Sequence, residues 1–477
     1  MTDADALAES PPAATDDVDA WTRRLPGPLR RLTDRYLPRG ATVLTALTVA
    51  YFVVRQVQNR VLANAFGLGT ELDVYYASVR LPEVALDLLV GAGLTAPFVP
   101  IFTALRRDGD EADGDRDANE FGRTVLTGAV IVMAFAAIGL IAAAPLIADA
   151  VAGSLEPSER ALYVDLFRIN CLTLVLFAAS IAIGEILVAN RRFFFYALAP
   201  VLYPLGAILG TLLFADTLGI YAPAWGTVAG AVAHLLARVA GSFQTSFRIR
   251  PRLQVQTEAF REFFRLMLPR MLSYPLDPIQ TAYFAALALT FGPGSASALT
   301  FADDYRAVPV ILIAQQFSLA AFPALSAAFA GDDRPRFRSV LRRNVVSIGV
   351  LTVIAAVLLA ILAPALIHFL LRGGAFDASD VALTASLLTA FAVSVPFDGL
   401  TYPLARGLYA THNTVLAVLA SLAGLVVVVG VSQALAASLG IFSIPAAYAA
   451  GSAVKAGLLA VFLAWRLGRI EAEAASA

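Results

Sequence analysis

FGLGTELDVYYASVRLP, residues 66–82, and FGPGSASALTFADDYRAVP, residues 291–309, open in the same way. Each closes an apolar run with Phe and two glycines, Phe66-Gly67-Leu68-Gly69 and Phe291-Gly292-Pro293-Gly294. Each then enters a second run carrying an acid, an arginine and a proline in one order: Asp73, Arg80 and Pro82, then Asp303, Arg306 and Pro309. Both second runs reach a Phe and a Pro, Phe98 and Pro100 against Phe322 and Pro323. Farther along, Leu218-Gly219-Ile220-Tyr221 recurs as Leu439-Gly440-Ile441-Phe442, each followed by a proline and small residues. The paired segments keep a nearly constant separation, so the chain reads as an internal duplication.

What is duplicated follows from hydropathy. The chain has 477 residues, 58% of them hydrophobic and only 15% charged, with a mean hydropathy of +0.73. A soluble domain carries about a quarter charged residues. Twelve apolar runs lie between residues 41 and 466, six before and six after the segment 247–261. Each matches the roughly 20 residues a helix needs to cross a bilayer. They are too long and too rich in Ala and Leu for strands. Arginine alternates between loops: Arg106, Arg107, Arg116 and Arg123; then Arg191 and Arg192; then the segment from Arg248 to Arg265; then Arg334 to Arg343; then Arg466 and Arg469. The intervening loops hold Arg160 and Arg372. By the positive-inside rule the arginine-rich loops and both termini are cytoplasmic. Six crossings per repeat give repeats of equal topology, a pattern in which transport sites lie between the halves.

The expected organisation is an acidic, disordered tail plus basic juxtamembrane segment at 1–39 and a six-helix bundle at 40–247. A cytoplasmic linker at 248–260, a second bundle at 261–467 and a tail at 468–477 follow. A net charge of −1 gives nucleic acid no purchase. The single cysteine, Cys171, has no disulfide partner. No Gly-x4-Gly-Lys-Ser/Thr loop appears, and no cofactor or metal motif, so the chain reads as a transporter and not an enzyme.

Ionisable groups at membrane depth usually face a cavity or a partner. Arg55, Asn59 and Arg60 lie in the first run, Arg80, Glu83 and Asp87 in the second, and Arg270 and Asp277 in the seventh. Asp303, Asp304 and Arg306 lie in the eighth, and Asp398 in the tenth. Two readings stay open. The arginines line a hydrated cavity that binds a phosphate-bearing headgroup, with Asp277 and Asp398 taking a coupling cation, or the charges neutralise one another inside each bundle. Pro275, Asp277 and Pro278 predict a broken seventh helix.

The stretch from Phe66 through Asp73 and Arg80-Leu81-Pro82 to Ala96-Pro97-Phe98-Val99-Pro100 resembles the MurJ/MviN family of lipid II flippases, within the multidrug/oligosaccharidyl-lipid/polysaccharide exporter superfamily. Phe301-Ala302-Asp303, Phe322-Pro323-Ala324-Leu325-Ser326 and Leu404-Ala405-Arg406-Gly407-Leu408-Tyr409-Ala410 extend the likeness. It implies a V-shaped exporter-type architecture in the plasma (inner) membrane. The cargo it implies is a polyprenyl-diphosphate-linked saccharide of cell-wall (peptidoglycan or polysaccharide) biosynthesis, moved by alternating access and driven by membrane potential or a coupling cation. The related superfamily branch offers the alternative of an ion-coupled multidrug or metabolite exporter. The family usually has Arg-Asp where Gln58-Asn59 stand here, a pair of arginines where Leu86-Asp87 stand, and Arg where Asp304 stands. Arg55, Arg60, Arg80, Arg270 and Arg306 are the candidates to supply the displaced charge. Among charged positions, Asp73 and Asp303 match the family motif directly.

Overall fold

The computed structural model describes residues 41–89, 94–108, 111–273 and 276–476. The expected N-terminal tail and basic segment lie outside the described residues, as do Pro275 and the side chain of Arg270. The chain is all-α. The order begins with α1 (Ala41–Phe66), α2 (Thr70–Leu89), α3 (Thr95–Asp108), α4 (Glu111–Val151), α5 (Pro157–Ala189), α6 (Phe193–Leu218) and α7 (Tyr221–Ser242). It continues with α8 (Glu258–Ser273), α9 (Leu276–Ala288), α10 (Ser295–Pro309) and α11 (Gln316–Ala330). It ends with α12 (Arg334–Leu371), α13 (Ala378–Ala392), α14 (Val395–Ala410), α15 (Val415–Leu439) and α16 (Ser443–Ser476).

Several stretches are individually long and apolar enough to cross a membrane: Gly114–Val151, Pro157–Ala189, Phe193–Leu218, Ser295–Ala330, Arg334–Leu371 and Val415–Ile470. The last contains α15 and α16, hinged at Gly440. Helices α13 and α14 pass as one span bent by 44°. Of the remaining expected spans, α1 and α7 are helical but diluted by ionisable, polar or small residues, and those over α2–α3 and α8–α9 each include residues outside the described ones.

Local chemistry sets the breaks. Gly67 ends α1 in the left-handed region, at φ +61°, where a glycine pays no Cβ penalty. Glu71 and Asp73 occupy the first turn of α2, the favourable end of the helix dipole for an acid. Pro309 lacks an amide proton, and a π-helical stretch, Val310–Gln315, carries the chain from α10 into α11. The expected break in the seventh span, at Pro275, Asp277 and Pro278, falls in part outside the described residues, which resume at Leu276 with the start of α9. Asp377 and Asp380 form a capping box at the start of α13.

Packing divides the chain into two compact units. The first comprises residues up to Val61, Pro82–Ala144 and Asp165–Tyr274; the second comprises Leu62–Leu81, Pro145–Val164 and residues from Pro275 on. In the first, α6 and α7 cross on glycine: a Cβ on Gly206 would stand 2.3 Å from the Gly226 carbonyl oxygen and 2.5 Å from the Gly230 Cα. In the second, one apolar core joins Leu325, Phe337, Leu408, Ala420, Leu459 and Leu463.

Candidate functional site

In the second unit, the last turn of α10 presents Arg306, whose side chain is 7% exposed. Its Nε donates to Asp303 Oδ1 at 2.7 Å, and its Nη1 donates to Asp398 Oδ2 at 2.7 Å. Asp398 sits in the first turn of α14, where the helix dipole favours a carboxylate. Tyr448 of α16 donates its hydroxyl to the same Asp398 oxygen at 2.9 Å. The guanidinium lies 4.3 Å from the Tyr448 ring centre and 5.7 Å from that of Phe391 on α13. Two carboxylates and two aromatic faces thus enclose one cation, drawing on α10, α13, α14 and α16. Asp303 and Asp398 remain 39% and 17% exposed, so the surplus negative charge lies on the accessible side.

The other end of α10 is held by Asp73, which is fully buried. Its carboxylate accepts from Gly294 N at 2.7 Å, Ser297 N at 2.6 Å and Ser297 Oγ at 2.6 Å. These amides are orphan donors of a helix start, and Asp73 satisfies them from another helix. Asp380 does the same for the start of α2, accepting from Leu68 N at 3.2 Å. The two glycine turns with which the sequence repeat begins are each capped by an acid distant in sequence.

The other expected site residues are distributed as follows. Arg55 is half-buried and donates to Gln58 Oε1 at 3.1 Å on its own helix. Asn59 is buried, Arg60 exposed, and Arg80, Glu83 and Asp304 are half-buried. Arg55, Asn59, Arg60 and Glu83 belong to the first unit, whereas Arg80 and Asp304 belong to the second. Asp277, at the start of α9, is 83% exposed and lies 3.5 Å from the ammonium of Lys455 on α16. Among the expected residues, the structure brings Asp303, Arg306 and Asp398 together. Both acids expected to take a coupling cation therefore have a resident cationic side chain beside them.

Sequence reasoning missed Tyr448, Phe391, Ser297 and Lys455. It also missed a buried polar cluster in the first unit. There Ser180 Oγ and His234 Nδ1 are 2.6 Å apart, Arg238 Nη1 donates to Ser180 O at 2.8 Å, and the guanidinium lies 5.0 Å from the Tyr196 ring centre. Gly184 leaves the space that this guanidinium fills. The spacing of His234 and Arg238, four residues apart on one helix face, is the signal that could have exposed the cluster.

The family model described as lipid II flippase MurJ matches residues 62–476. The lipid II flippase MurJ of Burkholderia cenocepacia is 23% identical over 383 residues, covering 79% of this chain and 73% of the relative. The probable lipid II flippase MurJ of Borreliella burgdorferi is 22% identical over 359 residues, covering 75% and 70%. Among solved structures, a lipid II flippase MurJ in an inward closed conformation aligns with a TM-score of 0.74 at 19% identity, over 88% of this chain and 86% of that one. An inward-facing multidrug resistance MATE family transporter of the MOP superfamily aligns with a TM-score of 0.72 at 15% identity, over 91% and 98%. The two solved structures share this chain's fold, and the family match across residues 62–476 goes further: the chain belongs to the lipid II flippase MurJ family.

Proposed function

We propose that this chain is a flippase that carries a polyprenyl-diphosphate-linked saccharide, lipid II or a related envelope precursor, from the inner to the outer leaflet of the plasma membrane. The observation that carries the reading is a family match running through both sequence repeats. The working parts are two six-helix bundles, 40–247 and 261–467, joined by the linker 248–260, with both termini cytoplasmic. Alternation of arginine-rich and arginine-poor loops supports that orientation. Arg55, Arg60, Arg80 and Arg270 are the guanidinium groups assigned to the diphosphate, whose paired oxygens match the planar fork of arginine. Asn59, Asp73, Glu83 and Asp304 would shape and balance that site. Arg306 contributes through exchange: its bonds to Asp303 and Asp398 are released when an anionic headgroup competes for it. Asp277 and Asp398 are the carboxylates through which a coupling cation would act.

The experiment is complementation in cells whose own lipid II flippase can be shut off, with outer-leaflet exposure of the precursor as readout. Restored exposure is expected. Well-expressed chain that restores none of it, for any lipid-linked saccharide, overturns the reading.

A further inference from the structure

The segment between α7 and α8 forms an extended strap against α4 within the first unit. Phe247 is buried and fills the space beside Gly122 of α4. Arg123 Nε donates to the Arg248 carbonyl at 2.9 Å. Arg252 N donates to Thr127 Oγ1 at 3.0 Å and Gln254 N to Thr124 Oγ1 at 3.3 Å. Threonines thus satisfy backbone donors of a non-helical strand, so that part of it can lie at a bilayer surface without desolvation cost. The depth is set by α4, because its apolar run begins at Thr127-Gly128-Ala129-Val130, beside Leu253, which stands over Gly128.

The side chains of the strap alternate. Arg248, Arg250 and Arg252 interleave with Ile249, Leu253 and Val255, and these three apolar residues are 44%, 52% and 48% exposed. Beyond Thr257, which caps the start of α8 by accepting from Phe260 N at 3.3 Å, Arg261 and Arg265 extend the basic band one helical turn apart. Between residues 248 and 265 there are five arginines and two glutamates, Glu258 and Glu262. Arg252 is paired with Glu120 at 3.2 Å, and Arg248 and Arg261 turn onto backbone carbonyls. Arg250 and Arg265 are exposed.

We propose that this strap is a binding site for anionic phospholipid headgroups. Ile249, Leu253 and Val255 enter the boundary between headgroups and acyl chains, while Arg250 and Arg265 take lipid phosphates. Basic groups attract an anionic membrane surface, and apolar neighbours hold it in register. Neutral headgroups and free phosphate meet only half of that chemistry. The site is independent of the identity of the cargo.

The test uses the purified, delipidated full-length chain. Native mass spectrometry with equal phosphatidylglycerol and phosphatidylcholine is expected to show preferential retention of phosphatidylglycerol. Arg250→Gln with Arg265→Gln should weaken that preference roughly fivefold per arginine, with unchanged thermal unfolding. In a Cys171→Ser background, a fluorophore on Val255→Cys should be quenched by bromine-labelled phosphatidylglycerol in nanodiscs, and Leu253→Asn should reduce the quenching. Equal retention of the two lipids, displacement by millimolar inorganic phosphate, a label that reports bulk water, or a label shielded without lipid by another protein would each overturn the proposal.

Discussion

The α6–α7 hairpin of the first unit and the α15–α16 hairpin of the second share one turn and differ in what they do beyond it. Gly219 adopts φ 54°, ψ −136° and Gly440 φ 55°, ψ −134°, and each donates its amide to an alanine carbonyl, Ala215 or Ala436. Only glycine enters that region freely. After the turn the hairpins diverge. In α6–α7, Gly206, Gly210, Gly226 and Gly230 let two backbones touch, the close approach by which small residues associate helices in membranes. In α15–α16 the contact is looser: Gly424 would meet Gly451 O and Lys455 Cβ at 3.1 Å, and Val428 fills the place opposite Gly451. The first hairpin combines that packing with polar contacts from His234 and Arg238 of α7 to Ser180 of α5. The second uses Tyr448 and Lys455 to reach Asp398 and Asp277 on other helices. Duplication preserved the turn, while the two copies differ in backbone approach and in the partners their ionisable side chains reach: a serine in the first, carboxylates in the second.

The sharpest way to break this contrast is to crowd both crossings. Gly206→Val places side-chain carbon against backbone that has nowhere to move, and it should cost more than about 3 kcal/mol, the upper end for ordinary overpacking. The expected readout is loss of monodisperse protein in detergent. Gly424→Ala meets Gly451 O and Lys455 Cβ at 3.1 Å, contacts that a shift of a few tenths of an ångström relieves, and it should cost about 1 kcal/mol and lower the melting temperature by a few degrees. Equal effects would refute the difference in packing.

The next effect tests whether the second unit depends on its charge partners. Arg306→Ala strands Asp303 and Asp398 with surplus negative charge, and breaking such a buried pair costs about 3–5 kcal/mol. Asp398→Asn keeps an acceptor for Tyr448 and leaves Arg306 paired with Asp303, so its melting temperature should fall much less. Thermal unfolding of both variants decides the point. Equal losses would mean that Asp398, not the shared guanidinium, is the centre of the cluster.

How much of this was readable in advance follows the same division. The glycine turns and the repeat depend on local chemistry, and the residues themselves state it: Gly219 and Gly440 sit in equivalent strings and adopt one conformation. The partners of Asp73 and Arg306 are set by which helices pack together. Nothing in the stretch around Asp73 points to Ser297, and Asp398 and Tyr448 converge on Arg306 from separate helices. Side-chain depth along a helix could be read as cavity or as pairing, and for Arg306 the structure supplies pairing.

Asp73 gives a smaller and more local test. Asp73→Ala leaves the Gly294 and Ser297 amides without their acceptor at the start of α10, an expected cost of about 2 kcal/mol, the upper end for a lost helix cap. Asp380→Ala removes one bond to the equivalent start of α2 together with half of a solvent-exposed capping box, and should cost about 1 kcal/mol. Hydrogen exchange should show faster opening at 294–298 in the first variant and at 68–71 in the second. Opening at both places in either variant would mean that the two caps act as one unit.

The smallest structural effect carries the most direct information on energy coupling. Lys455 stands in the second hairpin at the same distance from its turn glycine as His234 in the first. His234 is buried against Ser180, whereas Lys455 reaches a largely exposed carboxylate over a long 3.5 Å contact. Ion pairs of that kind contribute about 0–1 kcal/mol, so Lys455→Met should leave the melting temperature nearly unchanged. Its effect on transport should be out of proportion to that. With the tethered ammonium removed, Asp277 has no built-in counter-charge, and precursor flipping in proteoliposomes should become more dependent on the external monovalent cation or on protons. The variant Asp277→Asn, combined with Lys455→Met, should abolish that added dependence. A Lys455→Met chain whose cation dependence matches the parent would remove Asp277 from the coupling pathway and leave Asp398 as the one acid of the two that could serve it.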